Sequence, residues 1–331
     1  MLQSAQGQNF KNPGDYFNFI KKENGKIGKS IWKYTRALAH SNSPYKIEKD
    51  RLRLIKSVEQ AITKIKRAKP YQGEEAYKKE VLEYLELYLR LLGNDYAEIV
   101  RLKDVADQSY DTMEGYILAQ KITDQRILEA QEAYATAQKK YAERNYIQLI
   151  DKESELGEKI KTSNTVLDYK NEIYLIFFKS NIQERFLLNG VATADITTIQ
   201  EHTATLQKTA EEGIQQLANF PAYQQDSSLI EATKIALEFF LEETQNEIPK
   251  MVAFFSLNEK FSTIRESIQK KGIKNRTSEE IKQYNTMVED VNKAAADFNK
   301  RNQELNQKRT EIIQQWNEAS AKFLSRHIPK N

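Results

Sequence analysis

Apolar residues recur along this chain at steps of three and four, the spacing that gathers side chains on one face of an α-helix. Phe17, Ile20, Ile27, Ile31, Tyr34 and Leu38 trace such a face through a first helix predicted over about Gly14 to His40. Ser43-Pro44 restarts the chain with a good N-cap and the residue preferred at the first helical position. A second helix to about Ala68 follows, with Ile47, Leu54, Val58, Ile62 and Ile65 inward. Pro70 to Gly73 reads as a turn. The third helix begins near Glu74, carries Tyr77, Val81, Tyr84, Leu85, Tyr88 and Leu89, and meets a kink or cap at Gly93-Asn94. A short helix over Tyr110 to Ala119 then leads to a fourth from about Thr123. Its Ile127, Ala130, Tyr134, Ala137 and Tyr141 form a seam of coiled-coil kind.

The second half repeats the plan. Val166, Leu167, Tyr169, Ile173, Leu175, Ile176, Phe177 and Phe178 open it after a cap at Ser163 or Asn164, and a further helix starts around Asp195 to Thr198. Ser228-x-x-Glu231 and Thr277-x-x-Glu280 are capping-box patterns that mark its third and last helices. The last helix carries Tyr284, Met287, Val291, Ala294 and Phe298, then Leu305, Ile312, Trp316, Ala319 and Phe323. At 1.5 Å per residue, roughly 45 residues reach about 70 Å, which predicts an elongated molecule. Between Asn145 and Ser163 only Gly157 disfavours helix, so the fourth helix either runs on into the fifth or hinges there.

The two halves also share residues. Pro70 matches Pro221; with one inserted residue, Leu85 meets Leu237, Glu86 meets Glu238, Tyr88 meets Phe240 and Asn94 meets Asn246. Upstream, Trp32 answers to Ile182 and Leu54 to Leu206; downstream, Tyr141, Arg144 and Asn145 answer to Phe298, Arg301 and Asn302. A period of about 150 is too long for a solenoid unit and suits two domain-sized copies. Asn246-Glu247-Ile248-Pro249 cannot continue a helix unbroken, so both copies are expected to interrupt their third helix at this place. The fold expected is all-α: two tandem four-helix-bundle-like domains related by internal duplication, over residues 10–155 and 156–326.

Composition supports the helical reading. Only 11 Gly and 6 Pro occur among 331 residues, and none of the prolines lies between Pro70 and Pro221, a gap that turn-linked strands rarely leave. No apolar run is long enough to span a bilayer. The net charge of +3 hides an asymmetry: residues 15 to 69 hold fifteen Lys and Arg against five acidic residues, leaving the rest of the chain acidic. Such a basic stretch either meets a polyanion or pairs with the acidic remainder. Cysteine is absent, which removes disulfides, thiolate catalysis and Cys-ligated metal. Ser4-Ala5-Gln6-Gly7 resembles a small-residue processing site, as at the end of a removed signal peptide.

Signals for chemistry are few. Metal sites in helical bundles use Glu-x-x-His pairs, and there is none; His40, His202 and His327 are scattered along the chain. Neither a phosphate-binding glycine loop nor a G-x-S-x-G nucleophile elbow occurs. Glu86 and Glu238 lie beside aromatic residues at equivalent positions, but a solvated helix face accounts for both. Asn275-Arg276-Thr277 matches a glycosylation tripeptide and doubles as a helix cap. The tyrosines at helical intervals, Tyr77, Tyr84 and Tyr88, read as core with their hydroxyls toward the rim. No catalytic, cofactor-binding or metal-binding residue is expected.

Over about residues 10 to 150 the chain resembles a family of uncharacterised helical surface proteins and lipoproteins of Gram-negative bacteria, of the spirochaete and Bacteroidota type. The resemblance is carried by Asp15-Tyr16 with Ile20, Glu23-Asn24, Ile27-Gly28, and Tyr88, Tyr96, Tyr134, Gln138, Tyr141 and Asn145. The second half departs from it, with Phe178 where Gly28 would be expected. It implies export to the periplasm or cell surface and brings no catalytic residue. The reading from sequence is therefore a non-enzymatic, exported helical protein that binds a partner at the envelope. The alternatives are a cytoplasmic helical adaptor that touches anionic membrane or, less expected, nucleic acid through residues 15–69, and a bundle that binds a small ligand or a metal.

Overall fold

The computed structural model describes residues 10–41, 43–95, 105–149 and 155–330, with Ile99 and Leu102. The processing site expected near residues 4–7, Tyr96 and residues 150–154 lie outside them. The described residues are helical throughout, apart from turns and one isolated antiparallel bridge between Tyr223 and Asp226, so the all-α expectation holds. Helix α1 is Pro13–His40, α2 Pro44–Arg67, α3 Glu75–Arg90, α4 Tyr110–Arg144, α5 Glu155–Thr193, α6 Ile196–Ala218, α7 Ser228–Glu242, α8 Ile248–Lys270 and α9 Ser278–His327.

Local chemistry explains most of these limits. Asn12 caps α1 by accepting the Asp15 amide hydrogen at 2.8 Å ahead of Pro13, and Ser43 does the same for Lys46 ahead of Pro44. Asp195 accepts from the Thr198 amide at 3.1 Å, and Thr277 and Glu280 close a reciprocal box at 3.2 and 3.0 Å. Each satisfies amide hydrogens that the first helical turn leaves open. Four expectations need correction. The expected short helix over Tyr110 to Ala119 is the first part of a continuous 35-residue α4, capped by Ser109 and Thr112, because no Gly or Pro interrupts residues 116–144. That helix stops at Arg144, where Tyr146 turns left-handed at φ 52, so it does not run on into α5. Helix α5 passes straight through Gly157, and Ser163 is an interior residue whose hydroxyl donates to the Lys159 carbonyl at 2.7 Å rather than a cap. Ser228 is likewise the first residue of α7, preceded by Ser227 without a side-chain cap.

The chain forms two compact units, Met1–Asn171 with Ala321–Asn331, and Glu172–Ser320. The division falls inside α5 and α9. In the first unit, α1 to α4 enclose a core of Tyr16, Ile20, Ile27, Leu54, Val58, Tyr77, Leu85, Tyr88, Tyr134 and Tyr141. Tyr77 stacks on Tyr141 at 4.5 Å and Tyr84 on Tyr134 at 4.9 Å, as the helical spacing of these rings predicts. The end of the chain also belongs here: Ile328 is fully buried, and Arg36 and His40 of α1 donate to the Lys330 and Ile328 carbonyls. In the second unit α5, α6, α7 and α9 bury Phe177, Leu187, Leu206, Leu237, Phe240 and Trp316. Gly213 lets α6 lie close to α7, since a Cβ there would stand 2.8 Å from Leu237.

The interruption expected near Asn94 and Asn246 is present at both places as a π-helical turn, Leu91–Asp95 after α3 and Glu243–Glu247 after α7. The wider turn lets Pro249 stand in the first turn of α8, where its missing N–H leaves no bond unmade. The turns before the two helices match as well: Gln72 and Gly73 are left-handed at φ 48 and 76, Gln224 and Gln225 at φ 48 and 69. The correspondence ends there. Where α3 meets α4 through Tyr134 and Tyr141, α7 meets α9 through Trp316 and the π turn after α7 meets α9 through Arg309, while Phe298 stacks on Phe254 of α8 at 4.7 Å. Phe298, Arg301 and Asn302 therefore do not take the places of Tyr141, Arg144 and Asn145.

Candidate functional site

Two features of the second unit stand apart from ordinary helix packing. The first is a sealed cluster of charge. Glu184 on α5, Glu243 in the π turn and Arg309 on α9 are 4%, 1% and 6% exposed. Each lies on an apolar stripe: Glu243 follows Ala236, Leu237 and Phe240, and Arg309 stands between Leu305 and Ile312. Arg309 donates to Glu243 and, at 2.6 Å, to Asn306 Oδ1, and its Nε lies 3.3 Å from Glu184 Oε1. In the first unit the π turn places Leu91 where Glu243 stands, so burial of the turn is common to both units and the charge is not.

Two carboxylates against one guanidinium would leave a buried net negative charge, and the physics of the site removes it. Burial, and then the charge of Glu243, raise the Glu184 carboxyl to about 8, while Arg309 pulls the other way. Burial also raises Glu243, which Arg309 opposes more directly. At neutral pH the cluster thus holds a protonated Glu184 beside the Glu243–Arg309 pair. A perturbed carboxyl of this kind can serve catalysis when it faces a cleft. Here no surface reaches it, and the arrangement holds a proton within the packing of three elements.

The second feature is unfinished packing. Between Phe255 and Leu305 no residue is fully buried, although α8 and α9 present apolar residues to each other along this length. Phe254 and Phe255 meet Phe298 at 4.7 and 5.2 Å, and Phe261 meets Tyr284 at 5.7 Å. A groove of about 320 Å³ runs between the helices. Phe254, Leu257, Ala294, Asp297 and Phe298 line it, with Lys250 and Arg301, both paired with Glu247 at 2.7 and 3.4 Å. The lining residues fall at steps of three and four on each helix, as in surfaces that receive a third helix. Toward the far end of the hairpin Ile273 and Ile281 are exposed.

His40 and His327 belong to the first unit and His202, bonded to Gln183 at 3.0 Å, to the second. Among the described residues no group of three or more His, Cys, Asp or Glu could hold a metal ion. Glu86 and Glu238 are solvated, Glu86 pairing with Lys66 at 2.7 Å. Tyr77, Tyr84 and Tyr88 are core, and burial raises their hydroxyls well above the ordinary range, so they stay neutral. A small cavity of about 80 Å³ in the first unit, between Tyr34, Asp124, Gln131 and Asn164, has room for a few waters at most. No described helix is long and apolar enough to cross a membrane. No family model matches the chain, and neither a curated protein nor a solved structure is significantly similar to it.

Proposed function

We propose that this protein is a non-enzymatic helical binding protein exported to the periplasm or cell surface of a bacterium, and that its α8–α9 hairpin receives an amphipathic helix of a partner protein. The observation that carries the reading is the hairpin's apolar seam, which two helices alone leave half covered from Phe255 to Leu305. A third helix laid in the groove would cover Phe254, Leu257 and Phe298, and its end would face Lys250 and Arg301, which Glu247 already pairs at 2.7 and 3.4 Å, so apolar cover rather than charge would hold it. The sealed state of the Glu184 cluster favours binding over catalysis, because its strongly perturbed carboxyl has no path to a substrate. The matching left-handed turns and π turns support descent of the two units from one ancestral bundle, the second having gained turns in its last hairpin. Export rests on the family resemblance of the first half.

The test is site-specific photo-crosslinking in cells, with the reactive residue at Leu257 or Ala294 in the groove and, as control, at the exposed Ile235 of α7. One discrete product from both groove positions and none from Ile235 is expected. No groove product, or the same products from all three positions, would overturn the reading.

A further inference from the structure

A strongly basic surface lies in the first unit, apart from the hairpin of the proposed function. On α1, Lys22, Lys26, Lys29 and Lys33 follow one another at steps of four, three and four, all exposed. On α2, Lys46, Lys49, Arg53 and Lys56 do so at steps of three, four and three, with Lys64 and Arg67 further along the same side. The buried Glu23 fixes the two rows next to each other, since it accepts from Lys26 at 2.5 Å and from Lys64 at 3.1 Å. Acidic residues of the hairpin do little to neutralise the face. Asp50 is buried against Arg53 at 2.9 Å, and Glu48 is held by Arg51 at 2.8 Å. Lys22, Lys29, Lys33, Lys46, Lys56 and Arg67 have no carboxylate within ion-pair distance among the described residues.

We propose that this face of the α1–α2 hairpin docks side-on to a membrane surface rich in anionic phospholipid headgroups. Three observations favour a membrane over a nucleic acid. Eight of the ten cations are lysine, a point charge without the forked geometry that reads phosphate and base edges. The rows run straight along two packed helices, α1 being roughly 40 Å long, which suits a plane better than a groove. Tyr45 and Leu52, 75% and 52% exposed, flank Lys49 on α2 and are the kind of side chain that enters a headgroup layer. A single aromatic residue makes no stacking path for bases.

The full chain is sedimented with vesicles of phosphatidylcholine containing one-third phosphatidylglycerol, with pure phosphatidylcholine vesicles as control. Binding at low salt to the anionic vesicles alone, lost in half-molar salt, is expected. A variant carrying Lys22→Gln, Lys29→Gln, Lys49→Gln and Lys56→Gln should bind at least roughly ten-fold more weakly while melting like the wild type. Four Lys→Gln changes on the α8–α9 hairpin, at Lys270, Lys282, Lys293 and Lys300, should leave vesicle binding unchanged, so the membrane readout is separate from that of the hairpin's partner site. Absence of binding at low salt, equal loss in both variants, or tighter binding to duplex DNA than to the vesicles would overturn the proposal.

Discussion

Glu184→Gln isolates the sealed cluster, because glutamine has the shape of the protonated acid but cannot ionise. In the folded chain the carboxyl titrates near 8; unfolded, it returns to about 4.5. Between those values the folded state holds a proton that the unfolded state releases, so stability from this group is complete below about pH 4.5 and is lost as pH rises toward 8. Each pKa unit corresponds to 1.36 kcal/mol, so the loss is roughly 4 to 5 kcal/mol above pH 8, an upper figure because the pair relaxes when charged. Trp316, buried in the same unit and donating to Thr233 at 2.9 Å, reports its unfolding once Trp32 is replaced by Phe. Urea titrations followed by Trp316 fluorescence should give equal stabilities for the parent and Glu184→Gln at pH 4. The variant's advantage should then grow to several kcal/mol at pH 9. A difference that stays constant across this range would show that Glu184 does not carry the proton.

Arg309→Met leaves the two carboxylates without their cation; the second unit should lose about 3 to 5 kcal/mol at pH 7 and recover most of it at pH 5, measured by the same titration. Gln225→Gly relieves the left-handed backbone at φ 69 that glycine occupies in the matching turn at Gly73, and should raise stability by about 0.5 to 1 kcal/mol in thermal melts. Leu85→Ala and Leu237→Ala remove fully buried side chains from the two cores, and each should cost about 2 to 5 kcal/mol in chemical denaturation.

Much of the fold is legible because helix starts are local chemistry. Ser43-Pro44, Asp195 and Thr277-x-x-Glu280 each act within one turn, and their caps form as read. The interruptions near Asn94 and Asn246 are also legible, since Pro249 cannot sit in a helix interior, though not their π-helical form. Errors arise where a local signal has a near neighbour or a missing breaker. Ser227 takes the place of Ser228, and nothing between Gln120 and Asp124 stops α4. Glu184, Glu243 and Arg309 are brought together only by the packing of three distant segments. Their signal is a charged residue at the buried phase of an apolar stripe, visible for Glu243 after Leu237 and Phe240. Periodicity also marked Met287, Val291 and Phe298 as inward-facing, but it does not say whether the facing layer belongs to the same chain.

The central claim is that the α8–α9 seam is kept apolar for binding, and it is tested most directly by comparing stability with crosslinking in Phe254→Ser and Leu257→Ser. Both side chains are only half buried, so each change should lower the stability of the second unit by less than about 1.5 kcal/mol while removing the crosslink from Ala294. Stability losses of the size seen for Leu237→Ala, or a crosslink that survives both changes, would contradict it.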